Sequence, residues 1–224
     1  METVLLTGSC RGFGDAIRNA FTERDRDYNL VLTCRDTKAD YAEINPDHTY
    51  IVFGDLMDPW VITELGKVAL KKGVGILINN AAIYTNKSFD QMEDGEIRRI
   101  IETDLTVPML LTRAVWPSFK ARGGGLVINI NSLAGLTGGN GETAYCAAKH
   151  GLAGFSKALQ FDGTRDNVRI VNMYVGAMKT DMTANRPDWD KFIDPYEVAE
   201  LIVWLCRDHK SLRITELTVV RRNY

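Results

Sequence analysis

Val4-Leu5-Leu6-Thr7-Gly8-Ser9-Cys10-Arg11-Gly12-Phe13-Gly14 (VLLTGSCRGFG, residues 4–14) decides how the rest of the chain is read. An apolar run suited to a buried strand passes directly into a turn containing Gly8, Gly12 and Gly14, and a helical pattern begins at Asp15. Glycines allow the backbone to turn tightly and to come close to a diphosphate, and the free N–H groups of a helix start attract its negative charge. The spacing is G-x-x-x-G-x-G, not G-x-G-x-x-G. A turn of this kind can also be a plain tight βα connection, so the neighbouring segments have to decide.

Outward from this turn, short β-rich runs alternate with helical ones. The strand-like runs are 3–7, 30–33, 49–53, 75–79, 126–131, 169–174 and 216–220; the helical ones are 15–24, 59–71, 94–122, 142–166 and 195–207. Near-continuous Val, Ile and Leu in strands that alternate with helices predict a parallel sheet covered on both faces. The expected fold class is therefore α/β: one doubly wound, Rossmann-like domain over residues 1–224, with about seven parallel strands. Its ligands are expected beyond the carboxyl ends of the strands. Residues 179–194, rich in Asp, Asn, Pro and Thr, show no clear period and read as a short lid.

Composition narrows the partners. The 224 residues are 45% hydrophobic and 25% charged, with formal net charge −2, which gives no reason to expect a nucleic acid or an anionic membrane. No run approaches the roughly 18–20 apolar residues of a membrane helix. The chain enters its first strand without a basic flank or cleavage site, so no signal peptide is expected. Cys10, Cys34, Cys146 and Cys206 are scattered, and with three histidines a zinc site is not expected. Reduced thiols and a cytoplasmic location follow. Arg221-Arg222 reads as a solvated end.

The second strand ends at Thr33-Cys34-Arg35-Asp36. In a dinucleotide fold an acid at this strand tip holds the 2′-hydroxyl of NAD, and an arginine nearby accommodates the 2′-phosphate of NADP. The tip here is Cys34. Arg35 follows it, and Arg11 supplies a second guanidinium from the first turn, so NADP(H) is favoured over NAD(H). After the third strand, Asp55 either accepts from an adenine amine or caps the helix near Pro59, a role for which Asp58 competes.

Ser132 follows the fifth strand, and Tyr145 comes 13 positions later, four before Lys149. The i, i+4 spacing sets phenol and ammonium on one helix face. Lys149, together with an oxidised nicotinamide ring, is expected to lower the phenol's pKa from its ordinary value near 10, readying it for proton exchange. Ser132 suits the role of holding a substrate oxygen.

Taken in order, TGSCRGFG (7–14), GDL (54–56), NNAA (79–82), NINSLAG (129–135), YCAAK (145–149) and VGAMKT (175–180) resemble the short-chain dehydrogenase/reductase family over essentially the whole chain. The resemblance implies that Ser132, Tyr145 and Lys149 are catalytic and that Lys149 also binds the nicotinamide ribose. It implies cofactor contacts from Gly8, Ser9, Arg11, Gly12, Phe13 and Gly14 in the first turn. Further contacts come from Arg35, from Asp55 and Leu56, from Asn80 and Ala81, and from Gly176 and Thr180. Asn80 matches an asparagine that steadies the central sheet.

Three positions depart from the family pattern: Ala82 replaces a glycine, Val175 a proline, and Asp104 the asparagine that is the usual fourth catalytic residue. That asparagine acts largely through its main-chain carbonyl, which Asp104 retains.

The resemblance implies an NADPH-dependent reductase of a ketone or other carbonyl compound, taking a small-molecule carbonyl or alcohol substrate. The alternatives are an NAD-dependent alcohol dehydrogenase and a non-catalytic dinucleotide sensor. Ile83, Tyr84, Leu133, Met178, Met182, Trp189 and Phe192 are expected on the substrate side. The helices within 104–122 and 142–166 resemble the family's dimer-forming pair, which implies a homodimer or homotetramer.

Overall fold

The computed structural model describes residues 1–24, 28–35, 45–207 and 211–222; Asp36, at the end of the second-strand motif, lies outside them. Seven strands are described: β1 (Glu2–Leu6), β2 (Tyr28–Cys34), β3 (Thr49–Phe53), β4 (Val74–Asn79), β5 (Gly125–Ser132), β6 (Val168–Val175) and β7 (Glu216–Val219). They form one parallel sheet in the order β3-β2-β1-β4-β5-β6-β7. The helices are α1 (Gly12–Arg24), α2 (Pro59–Lys72), α3 (Asp94–Ile101), α4 (Val107–Arg122), α5 (Thr143–Arg165) and α6 (Pro195–Cys206). The expected doubly wound architecture is what forms.

Side-chain alternation within each strand splits the core into two layers. Val4 and Leu6 of β1, with Leu30, Leu32, Ile76, Ile78 and Ile128, pack against Ile17 and Phe21 of α1 and Ile202 of α6. Leu5, one residue away, faces the other side, where Val31, Leu77, Val127 and Ile170 meet Leu65 of α2 and Leu111, Val115 and Phe119 of α4. Leu5 lies in register with Val31 on one side and Leu77 on the other, so burial on both faces explains why these strands are apolar throughout.

Local chemistry sets the helix ends. Asp58 accepts from the Trp60 N–H at 2.9 Å ahead of Pro59, and Gly73 closes α2 at φ +64°. Asp194 caps α6 in the same way.

Two expectations are corrected. The helix expected over 94–122 is divided into α3 and α4 by a π-helical segment, Glu102–Thr106, in which Val107 N–H reaches back to Glu102 O. The thiols were expected to be reduced, but Cys10 and Cys34 are joined in a disulfide, leaving Cys146 and Cys206 free. Parallel pairing of β1 with β2 brings the turn after one strand beside the tip of the other, although the two cysteines are 24 residues apart. Among the described residues no helix is long and apolar enough to cross a membrane.

Phe119 is fully buried, and its ring lies where a Cβ on Gly125 would have to go. Phe119→Ala is expected to lower the unfolding free energy by about 3–5 kcal/mol in urea titration. A loss below about 1 kcal/mol is incompatible with this packing.

Candidate active site

The sheet order reverses between β1 and β4, because β1 is followed by β2 on one side while β4 lies on the other. A crevice opens at such a point beyond the carboxyl ends of the strands. Here it is a cavity of roughly 960 Å³. At one end the wall is made by Gly8, Arg11, Gly12 and Phe13, with Arg35, Asp55 and Leu56 opposite; at the other it is made by Ser132, Tyr145 and Lys149. Asn80, Ala81, Gly176 and Thr180 line the stretch between them.

The first turn is shaped for close approach. Gly8 (φ +66°) and Gly12 (φ +56°) take left-handed conformations, and a Cβ on Gly14 would collide with the Gly8 carbonyl. Asn80 donates from Nδ2 to Thr7 O at 2.8 Å, and its own N–H and that of Ala81 both donate to Thr7 Oγ1. The ends of β1 and β4 are thereby held together. Ser9 and Gly14 lie off the wall; Ser9 is fully buried and donates from Oγ to Thr33 O. Asp55 accepts from Met57 N–H at 3.0 Å and lies 3.9 Å from Arg35. With Asp58 taking the cap, Asp55 is left facing the cavity.

At the far end α5 begins at Thr143, which puts Tyr145 and Lys149 one turn apart on the face toward β5. Lys149 Nζ lies 5.5 Å from the centroid of the Tyr145 ring and donates to Ile130 O at 3.3 Å. Its charge is met by Asp104, whose Oδ2 is 3.4 Å away and whose Oδ1 accepts from Ile83 N–H at 2.9 Å. Asp104 has no exposed surface and does not line the cavity; it acts from behind Lys149. Pro108, in the first turn of α4, has no N–H to give the carbonyl four residues earlier, which is that of Asp104. That proline, four residues after an acid, was the available sequence signal for the π segment.

These charges set the ionisation of the site. Burial raises the pKa of the Tyr145 phenol; Lys149 pulls it down and Asp104 pushes it up, and the net shift is upward. The expectation of a lowered phenol is thus corrected for the protein without a bound dinucleotide: Lys149 acts as expected, but burial and a carboxylate outweigh it. Burial alone would discharge Lys149, yet the opposing charges of Asp104 and Tyr145 hold its pKa above the ordinary value. Burial raises Asp104 in turn, against the pull of Lys149.

Six of the seven residues expected on the substrate side line the cavity. Trp189 does not; its ring lies under Lys179 Nζ, 5.8 Å from the centroid. Segment 179–194 is zipped at its base by Lys179 N–H to Ile193 O and Ile193 N–H to Ala177 O. Gly176 has no left-handed φ to satisfy, and a Cβ there would meet Ile193 at an ordinary contact distance of 3.4 Å.

Residues that the sequence reading passed over also line the wall. Glu142 accepts from Tyr84 OH at 2.8 Å; burial and this carboxylate push the Tyr84 phenol up to about 12. Arg221, expected to be a solvated end, donates to Asp188 at 2.9 Å and reaches the cavity. Only the partner's position in the fold could have revealed that contact.

A family model described as short chain dehydrogenase matches residues 2–191. The chain is similar to trans-4-hydroxycyclohexanecarboxylate dehydrogenase of Sinomonas cyclohexanicum, 30% identical over 227 residues covering 94% of this chain and 87% of the relative. It is also similar to a 3-oxoacyl-(acyl-carrier-protein) reductase of Haemophilus influenzae, 32% identical over 192 residues, 85% and 79% of the two chains. A short-chain dehydrogenase structure from Streptomyces avermitilis superposes with TM-score 0.86 at 25% identity, covering 98% of this chain and 88% of that one. An alcohol dehydrogenase from Thermococcus sibiricus shares the fold, with TM-score 0.88 at 23% identity over 100% and 97% of the two chains.

Because Asp104 opposes ionisation of Tyr145, Asp104→Asn is expected to move the phenol's titration to lower pH. The difference in phenolate absorbance between each protein and its Tyr145→Phe counterpart measures it. An unchanged or higher midpoint contradicts the role given to Asp104.

Proposed function

The chain belongs to the short-chain dehydrogenase family, and from that premise we propose that it is an NADPH-dependent reductase converting a ketone or related carbonyl compound to an alcohol, with Tyr145 as the proton donor. The observation that carries this reading is a single cavity with Tyr145, Ser132 and Lys149 at one end and an arginine-flanked glycine turn at the other. The glycine turn suits a diphosphate, because Gly8 and Gly12 present bare backbone to the cavity just where α1 begins.

When bound, the nicotinamide dinucleotide supplies the hydride. Ser132 donates a hydrogen bond to the substrate oxygen as charge develops there. Tyr145, kept protonated by burial and by Asp104, gives its proton to that oxygen, and Lys149 stabilises the phenolate left behind. The carbonyl of Asp104, with no donor from Pro108, suits a water that returns a proton from solvent by way of Lys149. A phenol biased toward its protonated form favours reduction over the reverse alcohol oxidation. Segment 179–194 serves as a short lid over the apolar side formed by Ile83, Leu133, Met178 and Met182.

The preference for NADP(H) rests on Arg11 and Arg35 lining the same end of the cavity while the strand tip, Cys34, carries no carboxylate. A charge-assisted hydrogen bond contributes about 1.5–3 kcal/mol, so each arginine is expected to favour NADPH by about tenfold or more. The family pattern also suggests self-association through α4 and α5, which expose Met109 and Phe161.

Absorbance assays over ketones, keto-esters and quinones test the activity. We expect NADPH to exceed NADH at least about tenfold in kcat/KM, with most of that advantage lost in Arg11→Ala/Arg35→Ala. A preference for NADH overturns the cofactor assignment. Tyr145→Phe is expected to bind NADPH normally and to lose about 10²–10⁴ of turnover, and retained activity overturns its role. Dinucleotide binding with no turnover on any compound favours a sensor instead. Phe161→Glu is expected to shift an oligomer toward monomer in size-exclusion chromatography; a wild-type protein that elutes as a monomer overturns the assembly.

A further inference from the structure

Cys10 lies in the first turn, between Gly8 and Gly12, and Cys34 is the last residue of β2. Their Cα atoms are 5.8 Å apart, within the range a disulfide bridges without backbone movement. This proximity does not depend on the bond itself. Gly8 N–H donates to Thr33 Oγ1 at 3.3 Å and Ser9 N–H to Thr33 O at 3.2 Å, so the turn is fastened to the strand end on its own account. Both cysteines line the cavity, each adjacent in sequence to one of the two arginines at its adenosine end. Cys34 is only 2% exposed, whereas Cys10 is half-buried and is the sulfur within reach of a reagent in solution.

We propose that Cys10 and Cys34 are a site of reversible thiol–disulfide exchange with small disulfides of the glutathione class, and that the oxidised form fastens Arg11 and Arg35 for the 2′-phosphate of the dinucleotide. This rests on the dinucleotide reading above. In oxidation the Cys10 thiolate attacks one sulfur of the small disulfide, forming a mixed disulfide and releasing one small thiol. The Cys34 thiolate then attacks the Cys10 sulfur, and the second small thiol leaves. Two protein S–H bonds and the small disulfide bond are lost. One protein disulfide and two small-thiol S–H bonds are gained, so two electrons and two protons pass to the small disulfide. An excess of small thiol runs the sequence backward, beginning at Cys10.

The effect on binding follows from the neighbours. A bond between the residues preceding Arg11 and Arg35 removes relative motion of the two backbone positions that carry the guanidinium groups, so less ordering remains for the ligand to impose. Neither sulfur can ionise while they are joined, and no negative charge then faces the phosphate from Cys10 or Cys34. NADH, which lacks the 2′-phosphate, draws nothing from either effect.

The test compares the full-length protein equilibrated with oxidised glutathione and with a phosphine reductant. Thiols are counted after denaturation, and NADPH and NADH are titrated by fluorescence. The expected count is two thiols per chain (Cys146 and Cys206) after oxidation and four after reduction. Reduction is expected to weaken NADPH about fivefold to tenfold, the cost of re-ordering one long side chain, and to move NADH by less than about twofold. Cys10→Ser/Cys34→Ser is expected to bind NADPH as the reduced protein does and to ignore the redox treatment. Four thiols after oxidation, equal NADPH affinity in both states, or a parallel change for NADH overturns this proposal alone. Failure of both dinucleotides to bind in either state overturns the dinucleotide reading and this proposal with it.

Discussion

Parallel strands impose a return path: each neighbour can be added only after a crossover has carried the chain back to the starting edge. Among the described residues every crossover except the one from β2 to β3 runs through a helix, and because all seven strands are parallel their carboxyl ends lie along one edge of the sheet. Where the order reverses between β1 and β4, the outgoing loops diverge and leave a crevice. Thr7 keeps that crevice from gaping. Its hydroxyl accepts the N–H groups of Asn80 and Ala81, and its carbonyl accepts from the Asn80 side chain. The glycine turn and the NNAA segment are therefore one unit, although more than 60 residues separate them in sequence.

Polar groups buried in the sheet extend this control to the other end of the cavity. Asn79 donates to Asn129 at 2.8 Å, Asn129 to Ser156 at 2.8 Å, and Ser156 to Asn172 at 3.3 Å. Asn131 closes the chain by donating to Asn172 and to the carbonyl of Lys149, while accepting from Ser132 N–H. Unpaired, such groups would cost several kcal/mol in this environment. Paired, they join β4, β5, β6 and α5 and hold the backbones of Ser132 and Lys149 in fixed relation. The spacing of Ser132 and Lys149 is thus a property of the core as much as of the motif.

The sheet, its helices and the cavity wall were legible because each depends on local pattern: apolar runs, helical period, glycines at a strand end and the Tyr145–Lys149 spacing. Segment ends came within a few residues. What escaped depends on contacts between distant segments. No local signal joins Cys10 to Cys34, or Arg221 to Asp188, because each pair meets only once the sheet is assembled. Trp189 shows the opposite failure: an aromatic in a patternless segment suggests a pocket wall, but neighbouring turns direct it elsewhere. The choice between Asp55 and Asp58 was left open because both stand just ahead of Pro59. The geometry resolved it, since Asp58 is the one next to the proline and reaches Trp60 N–H.

Asp104 sets the balance of charge at the far end of the cavity. A neutral amide in its place would leave Lys149 with its full charge to lend to the phenol. A carboxylate takes much of that charge for itself, and it does so where water cannot screen the exchange. The cost of burying two opposite charges is partly met by their own attraction and by the bond from Ile83 N–H. The π segment permits the arrangement: it turns Asp104 toward Lys149 while α3 and α4 on either side keep their packing. Tyr145 is left beside a lysine whose pull is only partly offset by the carboxylate but is outweighed by burial, so its ionisation responds to any further positive charge in the cavity. A site built this way keeps the phenol protonated until such a charge arrives, which is the behaviour that the proposed donor role requires.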